Sequence, residues 1–150
     1  MEYEKGERMR EILFRGKRTD TGEWVEGFYS CKPCILGYEH IITSYEEIKR
    51  EPVISTICYQ THYNDVIPET VGQYTGLTDR NGKKIFEGDI VKNEYEKGHY
   101  QYFKIFYCNR TYMWQGENKY GMLSKVYQML GTLEVIGNIH DNPEILEGNE

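Results

Sequence analysis

No apolar run in the sequence approaches the length of a membrane span, which argues against a helical membrane protein. The opening, MEYEKGERMREILF, lacks the apolar core of a signal peptide. Positive charge is not in excess: 18 lysines and arginines face 24 aspartates and glutamates, a formal net charge of −6. Affinity for a phosphate backbone needs a basic footprint, so non-specific nucleic-acid binding is disfavoured and only a local basic face stays open. The acidity also falls short of a nucleic-acid mimic. The P-loop and the Rossmann glycine fingerprint are missing, and no serine sits in a nucleophile-elbow pattern. The histidines, His40, His62, His99 and His140, show no HxH or HxxxH spacing, so each reads as a surface or turn residue before a ligand. There is no internal repeat and no low-complexity tract.

What is present suits one soluble globular unit. A chain of 150 residues can bury a sizeable core, and 39% hydrophobic against 28% charged residues excludes a disordered chain. Tyrosine is abundant, at 14 residues; it is amphipathic and favours strands, which argues for β structure and for contact surfaces.

The stretch VGQYTGLTDRNGKKIFEGDIV, residues 71–91, organises the rest. Alternating strand patterns flank Asp79-Arg80-Asn81-Gly82, and Asn81-Gly82 is a strong hairpin signal because both residues tolerate positive φ. Gly72, Gly76 and Gly88 punctuate the strands as bulges or close approaches. Glu87-Gly88-Asp89 reads as a tight turn feeding Ile90-Val91. The carboxylates of Glu87 and Asp89, with no histidine beside them, read as solvated or turn-stabilising rather than as metal or acid–base groups.

Along the chain, residues 12–14 form a short strand, 19–22 a turn, and 24–29 a second strand pairing with the first. Residues 35–42 read as a strand. Ser44-Tyr45-Glu46-Glu47 carries a capping-box pattern and predicts a short helical connector ended by Pro52. A strand is expected over 53–59, polar loop over 62–65, and strands over 101–108 and 111–115. Residues 123–130 fit a strand or a short helix, and Val126 and Tyr127 favour the strand. A strand over 132–139 and a terminal turn at Asn142-Pro143 complete the pattern. Short strands with glycine-rich turns predict a mainly β fold: a small SH3-like or related open β-barrel over 66–150, an amino-terminal hairpin and connector over 1–65, and short helical connectors, all expected to form one compact unit.

Three blocks carry a resemblance: FRGKRTDTGEWVEGFY, TVGQYTGLTDRNGKKIFEGDIV and EVIGNIHDNPEIL. Together they resemble the YopX-like family of phages and prophages, and they touch both ends and the middle of the chain. The resemblance implies a mostly β fold and a phage context, and it carries over no catalytic or binding residue. A chain of this kind is expected to stay in the bacterial cytoplasm, with its cysteines as reduced thiols. Cys31 and Cys34 lie outside these blocks, so a function resting on them would be particular to this sequence.

Cys31-Lys32-Pro33-Cys34 is the sharpest chemical feature, since a CxxC pair supplies two thiolates to zinc or forms a redox couple. Zinc needs two more ligands; Cys58, Cys108, His40 and His62 are the candidates, in no standard finger spacing. Unliganded thiols are the plainer reading, and no cofactor is expected. The aromatic run from Tyr100 to Trp114 offers a second feature. Tyr102, Lys104, Tyr112 and Trp114 could stack and pair single-stranded bases, against the plainer reading of core or oligomer contact. With no catalytic constellation found, the leading expectation is a non-enzymatic accessory protein that binds a protein partner or self-associates. Single-stranded nucleic-acid binding is the alternative, and a metal-dependent enzyme using Cys31, Cys34 or the acidic turn comes last.

Overall fold

The computed structural model describes residues 11–48 and 58–147. They form β1 (Phe14–Lys17), β2 (Trp24–Cys34), β3 (Gly37–Ile48), β4 (Cys58–Asp65), β5 (Gly72–Thr78), β6 (Lys84–Phe86), β7 (Asp89–Glu96), β8 (His99–Cys108), β9 (Met113–Glu117), β10 (Leu123–Lys125), β11 (Leu133–Asn138) and the short helix α1 (Glu144–Glu147). Two 3-10 turns, Pro68–Thr70 and Val126–Gln128, serve as connectors. The fold is mainly β, with a sheet curled into a half-barrel and a second sheet. The pairing orders are β4-β3-β2-β1-β5-β6 and β10-β9-β8-β7-β11. Hydrogen bonding therefore runs across residue 65, from the amino-terminal hairpin β1–β2 into β5. No helix among the described residues is long and apolar enough to cross a membrane.

The two sheets meet along the central stretch. The β5–β6 turn uses positive φ at Gly82 alone (81°), so the reversal is not the two-residue turn that Asn81-Gly82 suggests. Asp79 builds it instead. Its Oδ1 accepts the backbone N–H of Asn81 (2.8 Å) and Lys83 (2.9 Å), and its Oδ2 accepts the N–H of Val135 in β11 (3.0 Å). Burial pushes this carboxyl up, but the three N–H donors outweigh it and hold the pKa below the usual carboxylate value. One side chain thus closes a hairpin of the first sheet and pins it to the second. At the next joint, Gly88 donates to Ile105 (2.9 Å) and accepts from Ile139 (2.9 Å), tying the β6–β7 turn to β8 and to the end of β11.

Ile85, Val91, Phe103, Ile105, Trp114, Val126 and Leu133 lie in the main core, and Leu13, Tyr74 and Phe86 in a smaller one. Full burial of such side chains contributes about 1.5–3 kcal/mol each. In β8 the alternation is one-sided: Phe103 and Ile105 point into the core, while Tyr102, Lys104 and Phe106 are only half-buried.

Three secondary-structure readings need correction. Ser44 does not cap a helix: it lies inside β3, opposite His62, and its hydroxyl is the acceptor for Asn64 Nδ2 (3.2 Å). Pairing with β4 overrides the local signal. Residues 62–65, read as polar loop, are the second half of β4 for the same reason. Of the strand predicted over 53–59, residues 53–57 lie outside the described residues, as does Pro52. Residues 123–130 divide into β10 and a 3-10 turn, because Val126 and Met129, three apart, both reach the core from one face of that tighter helix. Asp89 stabilises its turn but is not solvated: it is 1% exposed and accepts the Phe86 N–H (2.7 Å).

Candidate functional site

Beyond Gly27, the last β2 residue paired to β1, strand β2 continues with β3 as its partner. The result is a three-stranded arm, β2–β3–β4, rooted where Ile42 is fully buried. Close approach makes the root: a Cβ at Gly27 would lie 2.2 Å from the Thr43 carbonyl oxygen. Outward from there the arm exposes apolar surface. Phe28, Tyr38, Tyr45, Tyr59 and Tyr63 are all more than half exposed, and the tip residues Ile35 and Leu36 are 102% and 97% exposed. A folded chain gains nothing by itself from two full aliphatic side chains in water; burying both against a partner is worth about 3–6 kcal/mol before association costs.

The arm also carries the CxxC pair, and its geometry separates the two thiols. Cys31 and Cys34 lie on one extended strand, opposite His40 and Gly37 respectively. Three residues apart on a strand, their side chains project from opposite faces and their Cα atoms are about 10 Å apart. That exceeds disulfide reach and prevents joint chelation in this conformation. No cluster of three or more His, Cys, Asp or Glu able to hold a metal occurs among the described residues. Cys108 is separate, in β8, where the Thr111 hydroxyl lowers its pKa.

The aromatic candidates also divide. Tyr102 and Lys104 share one face of β8, as same-parity residues of one strand. Tyr95, Tyr100, Tyr102 and Tyr120, with Met122 and Leu146 of α1, line an open groove of about 480 Å³. Lys104 pairs with Glu117 (3.3 Å), and Lys92, which sits over the Tyr100 ring, pairs with Glu134 (3.3 Å). Tyr112 is elsewhere, 80% exposed in the β8–β9 turn with φ 54°. Trp114 is in the core, 9% exposed and edge-on to Tyr107. With Trp114 buried and Tyr112 in a turn, the four residues do not form one stacking surface.

A cluster the sequence reading missed joins the three resembling blocks. Arg15 of β1 is clamped between the rings of Trp24 (4.7 Å) and Phe86 (4.9 Å), and it reaches Asp89 at 2.6 Å. Burial raises the Asp89 pKa, and Arg15 opposes that shift. Alongside, Asp141 accepts from Trp24 Nε1 (2.7 Å) and Asn138 Nδ2 (2.9 Å) and pairs with Lys17. The Asn138 bond, then Lys17, hold this carboxyl well below its ordinary range. His140 lies against Trp24, its pKa lowered by burial and then by Arg15 and Lys17. This is a clasp between sheets. A sequence signal existed in the fact that an Arg, a Trp and two Asp fall inside the recognised blocks, but their partners are too far apart in the chain for spacing to reveal.

Comparison with known proteins gives a family model, described as YopX protein, that matches residues 13–147. Among solved structures, the crystal structure of protein EF1440 from Enterococcus faecalis is similar, with a TM-score of 0.53 at 27% identity, covering 90% of this chain and 97% of that one. No curated protein matches.

Proposed function

This chain belongs to the YopX protein family, and from that premise we propose a non-enzymatic phage or prophage accessory protein that acts in the bacterial cytoplasm by docking a protein partner on its β2–β3–β4 arm. The observation carrying this reading is the tip, where Ile35 and Leu36 are almost fully exposed at the end of a hairpin with aromatics along its faces. Contiguous exposed apolar surface marks protein contact sites in soluble domains. The test compares pull-downs from host cells using the parent protein and an Ile35→Ser/Leu36→Ser variant, each with and without nuclease. A protein retained after nuclease by the parent and lost with the variant supports arm docking and names the partner. The same set of proteins on both baits refutes it.

A second reading rests on the tyrosine-lined groove: stacking of single-stranded nucleic acid across Tyr100 and Tyr102. It is weakened by the glutamates that neutralise Lys92 and Lys104. Titration of a labelled single-stranded oligonucleotide at low salt checks it; binding lost in Tyr102→Ala would favour this reading over the arm.

A further inference from the structure

The arm places a thiol beside a phenol and an imidazole. Cys31 is exposed and directly opposite His40 in the β2–β3 register. Tyr29, two residues before Cys31 and so on the same face, stacks on the His40 ring (6.0 Å, 20°), and its hydroxyl lies 2.6 Å from His40 Nδ1. Burial and then the neighbouring Cys31 side chain raise the pKa of this phenol. Thiol, phenol and imidazole therefore form a chain of three titratable groups on one face of the strand. Cys34, equally exposed, projects from the other face and lies opposite a glycine. Cys34 therefore has neither the phenol nor the imidazole beside its sulfur and serves as an internal comparison.

We propose that Cys31 is a modification site for low-molecular-weight disulfides, with Tyr29 and His40 as its positioning residues. With His40 carrying its proton on Nδ1, His40 donates to the Tyr29 oxygen and Tyr29 donates to Sγ. The Cys31 proton leaves to water, and the Tyr29 O–H then holds the thiolate in place. The thiolate attacks one sulfur of the disulfide RSSR, a new S–S bond forms and the old one breaks. RS⁻ leaves with the bonding pair and takes up a proton. The protein thiol is oxidised to a mixed disulfide while half of RSSR is reduced to RSH, so the exchange needs no other oxidant. The inference does not depend on the arm having a docking role.

The experiment incubates the native protein with oxidised glutathione and follows mixed disulfides at each cysteine by peptide mass spectrometry. Cys31 is expected to react about tenfold faster than Cys34, in line with activation of a thiol by a neighbouring hydrogen-bond donor. This ratio is read in the parent protein, so it stands whether or not any variant folds. His40→Gln and Tyr29→Phe are expected to bring Cys31 down to the Cys34 rate, while Cys34→Ser leaves Cys31 unchanged. Equal rates at the two cysteines in the parent, or a Cys31 rate indifferent to His40→Gln, would overturn the proposal. So would accumulation of a Cys31–Cys34 disulfide in place of the mixed disulfide.

Discussion

Replacing Asp79 with alanine removes three hydrogen bonds at once. Two of the donors, Asn81 and Lys83, belong to a turn where water can replace the lost carboxylate, and each such bond to a charged acceptor is worth about 1–1.5 kcal/mol net. The third donor, the Val135 N–H, is buried between the sheets, where an unmet donor costs about 1–3 kcal/mol. The sum is about 3–6 kcal/mol for Asp79→Ala. Asparagine keeps one acceptor oxygen but turns an NH₂ toward one side, so Asp79→Asn should lose about 1–3 kcal/mol by the same reasoning. For a chain of this size each kcal/mol shifts Tm by about 2–4 °C. The assay is urea unfolding followed by tryptophan fluorescence, with hydrogen exchange at the Val135 amide as the local readout. A loss under about 1 kcal/mol in Asp79→Ala, with Val135 protection unchanged, would refute the view that this carboxylate holds the sheets together.

Three further outcomes follow from the same structure. Arg15→Met strands the buried Asp89 charge and should cost about 3–5 kcal/mol at neutral pH; the loss should shrink in acid, as Asp89 protonates, and equal urea midpoints lost at pH 7 and pH 4 would contradict this. Gly27→Ala forces a Cβ to within 2.2 Å of the Thr43 carbonyl and should destabilise by about 2 kcal/mol or more, read as a fall in Tm. Asp141 and Asp79, with folded pKa values below ordinary, contribute stability that is complete above the ordinary carboxylate pKa and is lost as pH falls through it toward the depressed values. Asp89, whose folded pKa is raised, has the opposite sign: its contribution is complete below the ordinary carboxylate pKa and is lost as pH rises through the raised value. Asp141→Asn should therefore flatten the acid limb of the stability–pH curve, and an unchanged limb would count against the clasp.

Local chemistry was legible where the chain decides its own conformation. The pairing of β1 with β2, the β5–β6 reversal, the β6–β7 turn and strands β8 and β11 all follow from alternation and turn residues. Ser44 shows the limit. Its capping-box pattern is genuine, yet β4 supplies a full ladder to the same residues, and a strand partner is invisible to a helical window. Trp114 shows another, since an aromatic side chain reads alike whether it faces a base or Tyr107. The CxxC spacing leaves zinc, a redox couple and unliganded thiols open, because it does not show whether the chain turns or runs extended; here the extended strand sends the two thiols apart. The Arg15–Asp89 pair and the Asp141 contacts depend on tertiary closure, and no local pattern encodes them.

The clasp sets an order of events during synthesis on the ribosome. Strands β2 and β3 need only a short turn to pair, so the arm can form early, with little loop-closure entropy to overcome. Lys17 and Trp24 cannot meet Asp141 until residue 141 has emerged, a separation of 124 residues for the lysine. Until then Trp24 and Phe86 lack their final surroundings, and the arm's apolar tip is already on display. A nascent chain of this protein therefore presents its stickiest segment before it can lock its body, and it is over that interval that a chaperone would have most to cover.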